Sequence, residues 1–359
     1  MVQPWRRRLT VVAGAALVLV LLAAAAVVGV RWWDERHRTD LERAVAYAPS
    51  GTVRFSWTDW SAVRAELKSD VDASSSADEV SSFLSDGYDA DLTSGSAMLE
   101  SASVLQEKFG FSPADVDWEL LGQSPTGSVL VVGLPDDLDT AELGETFDSL
   151  GYDRPEDDTG VWTGGEELIA RISADGILSP QFQHLAIDPG RHLLLASDSA
   201  PYLRDAVGGL DDDHGNEGLS DVAHAIGSPL SAAVYDGGFA CTSLAMAQAD
   251  EDDQSTADQL VTAAGGVDPL TGFALAAEPD GRLLVALAFE NEDQARRNAD
   301  SRAELAAGPA PGQGGSFADR FDLGTVSADG RVVTMRLAPV EGSAVLSDLS
   351  NGPVLFATC

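Results

Sequence analysis

The sequence predicts an α+β protein: an amino-terminal transmembrane helix followed by two related modules, each a mostly antiparallel sheet with helices packed on one face. Three observations predict it. The run from Leu9 to Val30 carries no charge and no proline. Beyond it, apolar residues alternate with period two in short stretches, as half-buried strands require. And a tight glycine turn between two apolar stretches recurs at Asp188-Pro189-Gly190, Pro279-Asp280-Gly281 and Asp329-Gly330, with helical patterning after each hairpin.

The first element is the membrane helix. The 22 residues from Leu9 to Val30 make a helix roughly 33 Å long at about 1.5 Å per residue. A hydrocarbon core is about 30 Å thick, so the helix spans it with slight tilt. Trp5 precedes it and Trp32 and Trp33 follow, where indoles favour the headgroup layer. The competing reading is a cleaved signal, with Arg6, Arg7 and Arg8 as the basic start and Ala24-Ala25-Ala26 as the cleavage site. Cleaved signals carry a shorter apolar segment, and here the run continues through Val30. The Arg triplet favours a cytoplasmic amino end, which puts the bulk of the chain outside the cytoplasm. The expected organisation is therefore a cytoplasmic amino end (1–8), a transmembrane helix (9–30), a juxtamembrane stalk (31–50), a first module (51–210), an acidic linker (211–228) and a second module (229–359).

Inside the first module, "TVRFSW" sets Val53, Phe55 and Trp57 against Thr52, Arg54 and Ser56, a strand pattern. "TDWSAVRAELK" reads as a helix capped by Thr58 or Asp59. Residues 69–97, rich in Ser and Asp, read as frayed helix or loop. "AMLESASVLQEKFG" is helical, with Gly110 at its end. In "SPADVDWELL", Ser112 as cap, Pro113 and Asp115 predict a helix start. "SVLVVGL" is a central strand, "DTAELGETFDSLG" a helix and "EELIARIS" a strand. "FQHLAIDPGRHLLLAS" is a hairpin. If Ile187 pairs with His192, His184 faces Leu195, and the two histidines point to opposite faces. A helix follows at "SAPYLRDAVGG". In the second module, "LSAAVY" repeats the opening strand, and two hairpins, each with a helix after it, lead to a closing strand, "PVLFATC". A positive φ is expected at Gly190 and Gly281.

The chain resembles uncharacterised single-pass envelope proteins of actinobacteria with duplicated α+β extracytoplasmic modules. The stretches that carry the likeness are "APSGTVRFSW", "FGFSPADVDWELLG" and "GRHLLLASDSAPYLRDAV", after an amino-terminal anchor. The resemblance implies a location and an architecture, and no activity.

Charge excludes several partners. The chain holds 22 Lys and Arg against 58 Asp and Glu. Six of the basic residues and two of the acidic ones lie in residues 1–38, so the remainder, with 16 basic and 56 acidic, has a net charge of −40. Such a surface repels nucleic acid and anionic lipid. No G-x-S-x-G elbow, S-x-x-K or phosphate loop with lysine occurs. Ser199, in "SDSAPY", reads as a helix cap rather than a nucleophile. "DDDHGNE" (211–217) offers clustered oxygens for weak Ca²⁺ binding without the spacing of an EF-hand, and a solvated linker is the reading preferred; "DEDDQ" (250–254) has the same status. Trp57, Trp118 and Trp162 read as core, and Trp60 as the tryptophan placed for exposure. Arg191, Arg282 and Arg331 each follow a turn glycine and read as solubilising hairpin tips rather than a shared binding site.

No catalytic, cofactor or metal residues are assigned, and no cofactor is expected. The site assignments are the anchor boundaries Leu9 and Val30 and a disulfide between Cys241 and Cys359, since an exported chain with two cysteines favours their pairing. The function expected is a non-enzymatic binding or scaffolding module of the cell envelope, partnered by the membrane and by an envelope protein or polymer. A carrier or sensor for a lipid or small molecule is the alternative, and a hydrolase with a dispersed site stands behind it.

Overall fold

The computed structural model describes residues 38–157, 159–210 and 216–359. The predicted anchor, with Leu9 and Val30, and residues 211–215 of the predicted linker lie outside the described residues. Among the described residues no helix is long and apolar enough to cross a membrane.

Eleven strands form a single antiparallel sheet. In chain order they are β1 (Arg54–Asp59), β2 (Trp118–Ser124), β3 (Gly127–Gly133), β4 (Val161–Thr163), β5 (His184–Asp188), β6 (Leu193–Ser197), β7 (Ser231–Asp236), β8 (Gly272–Ala277), β9 (Leu283–Ala288), β10 (Phe321–Asp329) and β11 (Val332–Pro339). Their order across the sheet is β10-β11-β9-β8-β7-β1-β2-β3-β6-β5-β4. The two halves of the chain meet at the β1–β7 pair, where Phe55 faces Val234 and Trp57 faces Ala232. Read outward from that pair, each half runs through a hairpin and then a second hairpin whose later strand lies inside: β2-β3-β6-β5 on one side and β8-β9-β11-β10 on the other.

The helices are α1 (Asp40–Tyr47), α2 (Trp60–Leu67), α3 (Ala77–Asp89), α4 (Thr140–Leu150), α5 (Glu166–Ile172), α6 (Ala200–Gly208), α7 (Glu217–Ile226), α8 (Glu251–Ala263), α9 (Glu292–Ala306) and α10 (Val345–Ser350). They cover both faces of the sheet, not one. On one face α1 and α7 bury Leu41, Ala44, Leu219, Val222 and Ile226 against Phe55, Trp57 and Leu120, and α6 buries Leu203 and Ala206 against Val129, Val131 and Leu195. The other face carries the larger core, with α2, α3, α4, α9 and α10 over Leu130, Val132, Phe273, Val285 and Val333. The reason is legible in the strands. β8 and β9 are buried at every position, and a strand apolar on both sides needs cover on both sides. Small side chains at Ala274, Ala276, Ala286 and Ala288 let α7 lie close to the sheet. Its Gly218 sits against the Thr271 carbonyl, with no room for a Cβ.

Four local expectations change. "EELIARIS" is the helix α5, because Leu168, Ile169 and Ile172 bury one helical stripe and Glu166 and Glu167 occupy the first turn. The Ser112 motif closes one turn only. Its amide donates to Asp115 Oδ1 at 2.6 Å and its carbonyl accepts from Val116 N at 3.1 Å, after which β2 begins. "PVLFATC" is a buried 3-10 turn, Leu355–Ala357, rather than a strand. The expected stalk holds α1, whose Leu41 and Ala44 are buried in the core.

Candidate functional site

Besides Asp188 and Ser197 on β5 and β6, the buried polar side chains of the sheet line up in one row at its centre. Thr58 of β1 lies directly opposite Glu119 of β2 and directly opposite Ser231 of β7. All three are buried. Their side chains share one face because they sit at equal register. The row falls at the junction of the two halves.

Residues 91–97 pass over this row. They join α3, which a capping box between Ser76 and Glu79 starts, to the helical segment 99–109. Ala97 N donates to Glu119 Oε1 at 2.9 Å. The hydroxyl of Ser96 and the indole N–H of Trp60 face the same carboxylate. Gly95 sits 3.7 Å from the Ser56 Cβ, measured from where its own Cβ would stand. At the other end Asp91, with φ 58°, turns its carboxylate onto the first turn of α10. It accepts from Leu346 N at 2.6 Å and Ser347 N at 3.1 Å, and from the Ser347 hydroxyl. A residue of the first half therefore caps the last helix of the second.

Burial pushes the Glu119 carboxyl up to about 7, against the Ala97 amide and the nearby Ser96 hydroxyl and Trp60 indole, which draw it down. Burial also raises Asp91, opposed by the hydrogen bonds from Ser347 and Leu346. Beside this cover, α3 and residues 99–106 leave a surface groove of about 360 Å³, lined by Val80, Leu84, Tyr88, Leu99 and Ala102 with Gln106 at its edge.

The cysteines are joined. Cys241 and Cys359 form a disulfide with Cα atoms 5.5 Å apart. The carboxyl-terminal stretch is held further by Arg302, which is wholly buried and donates to the Phe356 carbonyl at 2.6 Å, the Asp268 carbonyl at 2.7 Å and Asn298 Oδ1 at 2.9 Å. Its guanidinium lies 5.4 Å from the centre of the Phe289 ring. Burial pulls this arginine down to about 9, with Asp268 raising it.

The remaining sequence candidates take structural places. Ser199 caps α6 through Tyr202 N. Asp250 caps α8, with Glu251, Asp252 and Asp253 in its first turn, so "DEDDQ" is a helix start. Of 211–217, Asn216 caps α7 and Glu217 pairs with Arg331 at 2.8 Å, while 211–215 lie outside the described residues. Among the described residues no three His, Cys, Asp or Glu side chains converge on a metal position. Trp57 stacks on Trp118 at 5.3 Å, and Trp60 is fully buried, against the expectation of exposure. Arg191 pairs with Asp188 at 2.6 Å, and Arg331 pairs with Glu217 and Asp221. The tips that carry Arg191 and Arg282 are six strand spacings apart across the sheet, roughly 29 Å at about 4.8 Å per spacing. They form no common site. Ile187 pairs with Leu194, not His192, so His184 faces Ser197.

No family model matches the chain, and no curated protein matches it in sequence. Among solved structures, crystal form I of TP0453 overlays on it with a TM-score of 0.35 and 9% identity, over 85% of this chain and 95% of that one. A likeness that distant assigns neither fold nor activity.

Sequence reasoning missed Glu119 and Asp91. Glu119 sits in "DWELLG" between Trp118 and Leu120, where period two assigns it to a solvent face. The signal that marks it is the Ser-rich stretch 93–96, whose short side chains let backbone approach the sheet.

Proposed function

We propose that the chain is a single-pass membrane protein held by residues 9–30, with the residues beyond about 39 outside the cytoplasm, and that it binds a protein or polymer of the envelope rather than catalysing a reaction. The observation that carries the reading is the Cys241–Cys359 bridge. Disulfides persist in oxidising compartments and are rare in the cytosol. The acidic exterior favours a neutral or basic partner over nucleic acid or anionic lipid. The matching strand order on either side of β1–β7 supports descent of the two halves from one duplicated module.

The carrier reading ranks second. It requires an apolar cavity between sheet and helices, and the packing there is closed by side chains such as Phe109, Phe147, Phe182 and Phe273, each at most 1% exposed. The dispersed-site hydrolase ranks third, since its best acid, Glu119, is sealed beneath 93–97.

Protease added to intact spheroplasts tests the topology. Digestion of the chain is expected under conditions that spare a cytoplasmic control. Full protection, alongside digestion of a known external protein, overturns the reading. Sequencing the amino terminus of the mature protein separates anchor from signal: a soluble product starting near Val27 replaces the first with the second.

A further inference from the structure

The cover over the central row has the construction of a latch. Its two ends are pinned by carboxylates, the buried Glu119 at Ala97 and the half-buried Asp91 at α10. Glu119 Oε2, Trp60 Nε1, Thr93 Oγ1 and Ser231 Oγ are all buried with no hydrogen bond of normal geometry. Buried polar atoms without a protein partner favour contact with water. The cover is also the chain that joins α3 to 99–106, the two walls of the groove.

We propose that residues 91–97 are a pH-responsive strap: ionisation of Glu119 favours release of the Ala97 end from the sheet, and the groove between α3 and residues 99–106 opens with it. The ionised carboxylate gains water only when the strap lifts, so the lifted state gains as pH rises. The carboxyl's upward displacement by burial puts this response near neutral pH. The other charged groups on the packed elements leave the carboxylate without a cation of its own. Arg54 begins β1, and Asp59 ends it and caps Ala62 N. Arg64 of α2 donates to the Pro113 and Val116 carbonyls and is surrounded by Asp117, Asp115 and Asp59. Glu66 of α2 reaches Asp280 N, and Asp236 at the end of β7 caps the turn after it. β3 carries no charged residue. Asp91 and Glu100 bracket the strap, Asp78, Glu79, Asp86 and Asp89 lie on α3, and Asp348 lies on α10.

Amide hydrogen exchange on the full chain in mild detergent reads the strap directly. After correction for the intrinsic rate, protection of residues 93–98 is expected to fall about tenfold or more between about pH 5 and pH 8. Peptides from α3 and 99–106 should follow the same midpoint. Glu119→Gln keeps an acceptor for Ala97 N and cannot ionise, so its protection should stay flat. Asp91→Asn should expose Leu346 and Ser347 amides while leaving the pH dependence of 93–98 in place. Flat protection in the wild-type chain, an unchanged slope in Glu119→Gln, or groove peptides that ignore the strap would each overturn the proposal. Should Glu119→Gln fail to fold, the carboxyl carbon resonance of Glu119 in the wild-type chain decides: titration at the ordinary value of 4.5 overturns the strap, and titration near neutrality sustains it.

Discussion

The buried carboxyl of Glu119 should give this fold a pH response of its own. Glu119 is 1% exposed, and its folded value near 7 stands above the ordinary 4.5. A raised acid binds its proton more tightly in the folded chain than in the unfolded one. Its contribution is therefore fully present below about pH 4.5 and lost as pH rises through about 7, with a penalty on the order of 3 kcal/mol above that. Glu119→Gln should remove this slope and make the chain more stable than wild type at pH 8. Urea denaturation at pH 5 and pH 8 measures it; an equal loss of stability in wild type and variant across that interval would assign the slope to other groups. Arg302 shows a different outcome for a buried charge. Three acceptors and an aromatic face surround it, so it organises the end of the chain rather than titrating against it. Neither residue was legible in the sequence, because each owes its burial to a segment distant in the chain: 93–97 for Glu119, 356 and 268 for Arg302.

At the scale of elements, turn chemistry reads well and short apolar runs read poorly. The three hairpins lie where Asp-Pro-Gly, Pro-Asp-Gly and Asp-Gly place them, yet the backbone distributes the strain differently from the expectation. Gly281 has φ 70° beside Asp280 at 69°, whereas at the first hairpin the left-handed residue is His192, φ 52°, and Gly190 is not among the positive-φ residues. Gly281→Val should therefore cost about 1–2 kcal/mol from backbone alone, since open space surrounds the site. Gly190→Ala should lie within about 0.5 kcal/mol of wild type. Thermal unfolding of the two variants checks the pair, and equal losses would contradict the turn geometry. "EELIARIS" failed as a strand because five apolar and small residues fit either period, and burial against Tyr152 and Gly164 chose the helix. The disulfide acts on the closing element. It spans 118 residues, and a loop of that length gives about 4–5 kcal/mol in the chain-entropy model. Replacing both cysteines with serine should lower stability by up to that amount while Arg302 and the buried Val354, Leu355 and Phe356 keep the tail in place. An unchanged midpoint in urea would mean that the denatured chain is already compact enough to make the crosslink redundant.

Across the whole molecule, the feature that no local pattern announces is the β1–β7 pair. Strand alternation predicts two sheets, one per half, and each half alone would leave a central strand as an edge. Joined, Phe55, Trp57, Ala232 and Val234 are all buried in one core with Leu120, Ala274 and Ala286. α1 of the first half and α7 of the second lie in that same core, and His224 of α7 meets Glu42 of α1 at 2.9 Å. Asp91 ties the opposite face through α10. A strand ladder, a shared apolar core, a helix cap and side-chain contacts such as His224–Glu42 thus cross between the halves. Exposing them would uncover a full strand edge with both of its apolar faces, which is why neither half should have a folded state of its own near the stability of the whole. The described chain from residue 41 on should then unfold in one transition, with calorimetric and van't Hoff enthalpies in agreement. A fragment covering 229–359 should be poorly protected in β7 and β8 even with its disulfide formed. Two resolved transitions in the intact chain, or native-like exchange protection of β7 in the fragment, would show that the halves are autonomous modules that happen to abut, and the continuous sheet would then be an interface rather than a core.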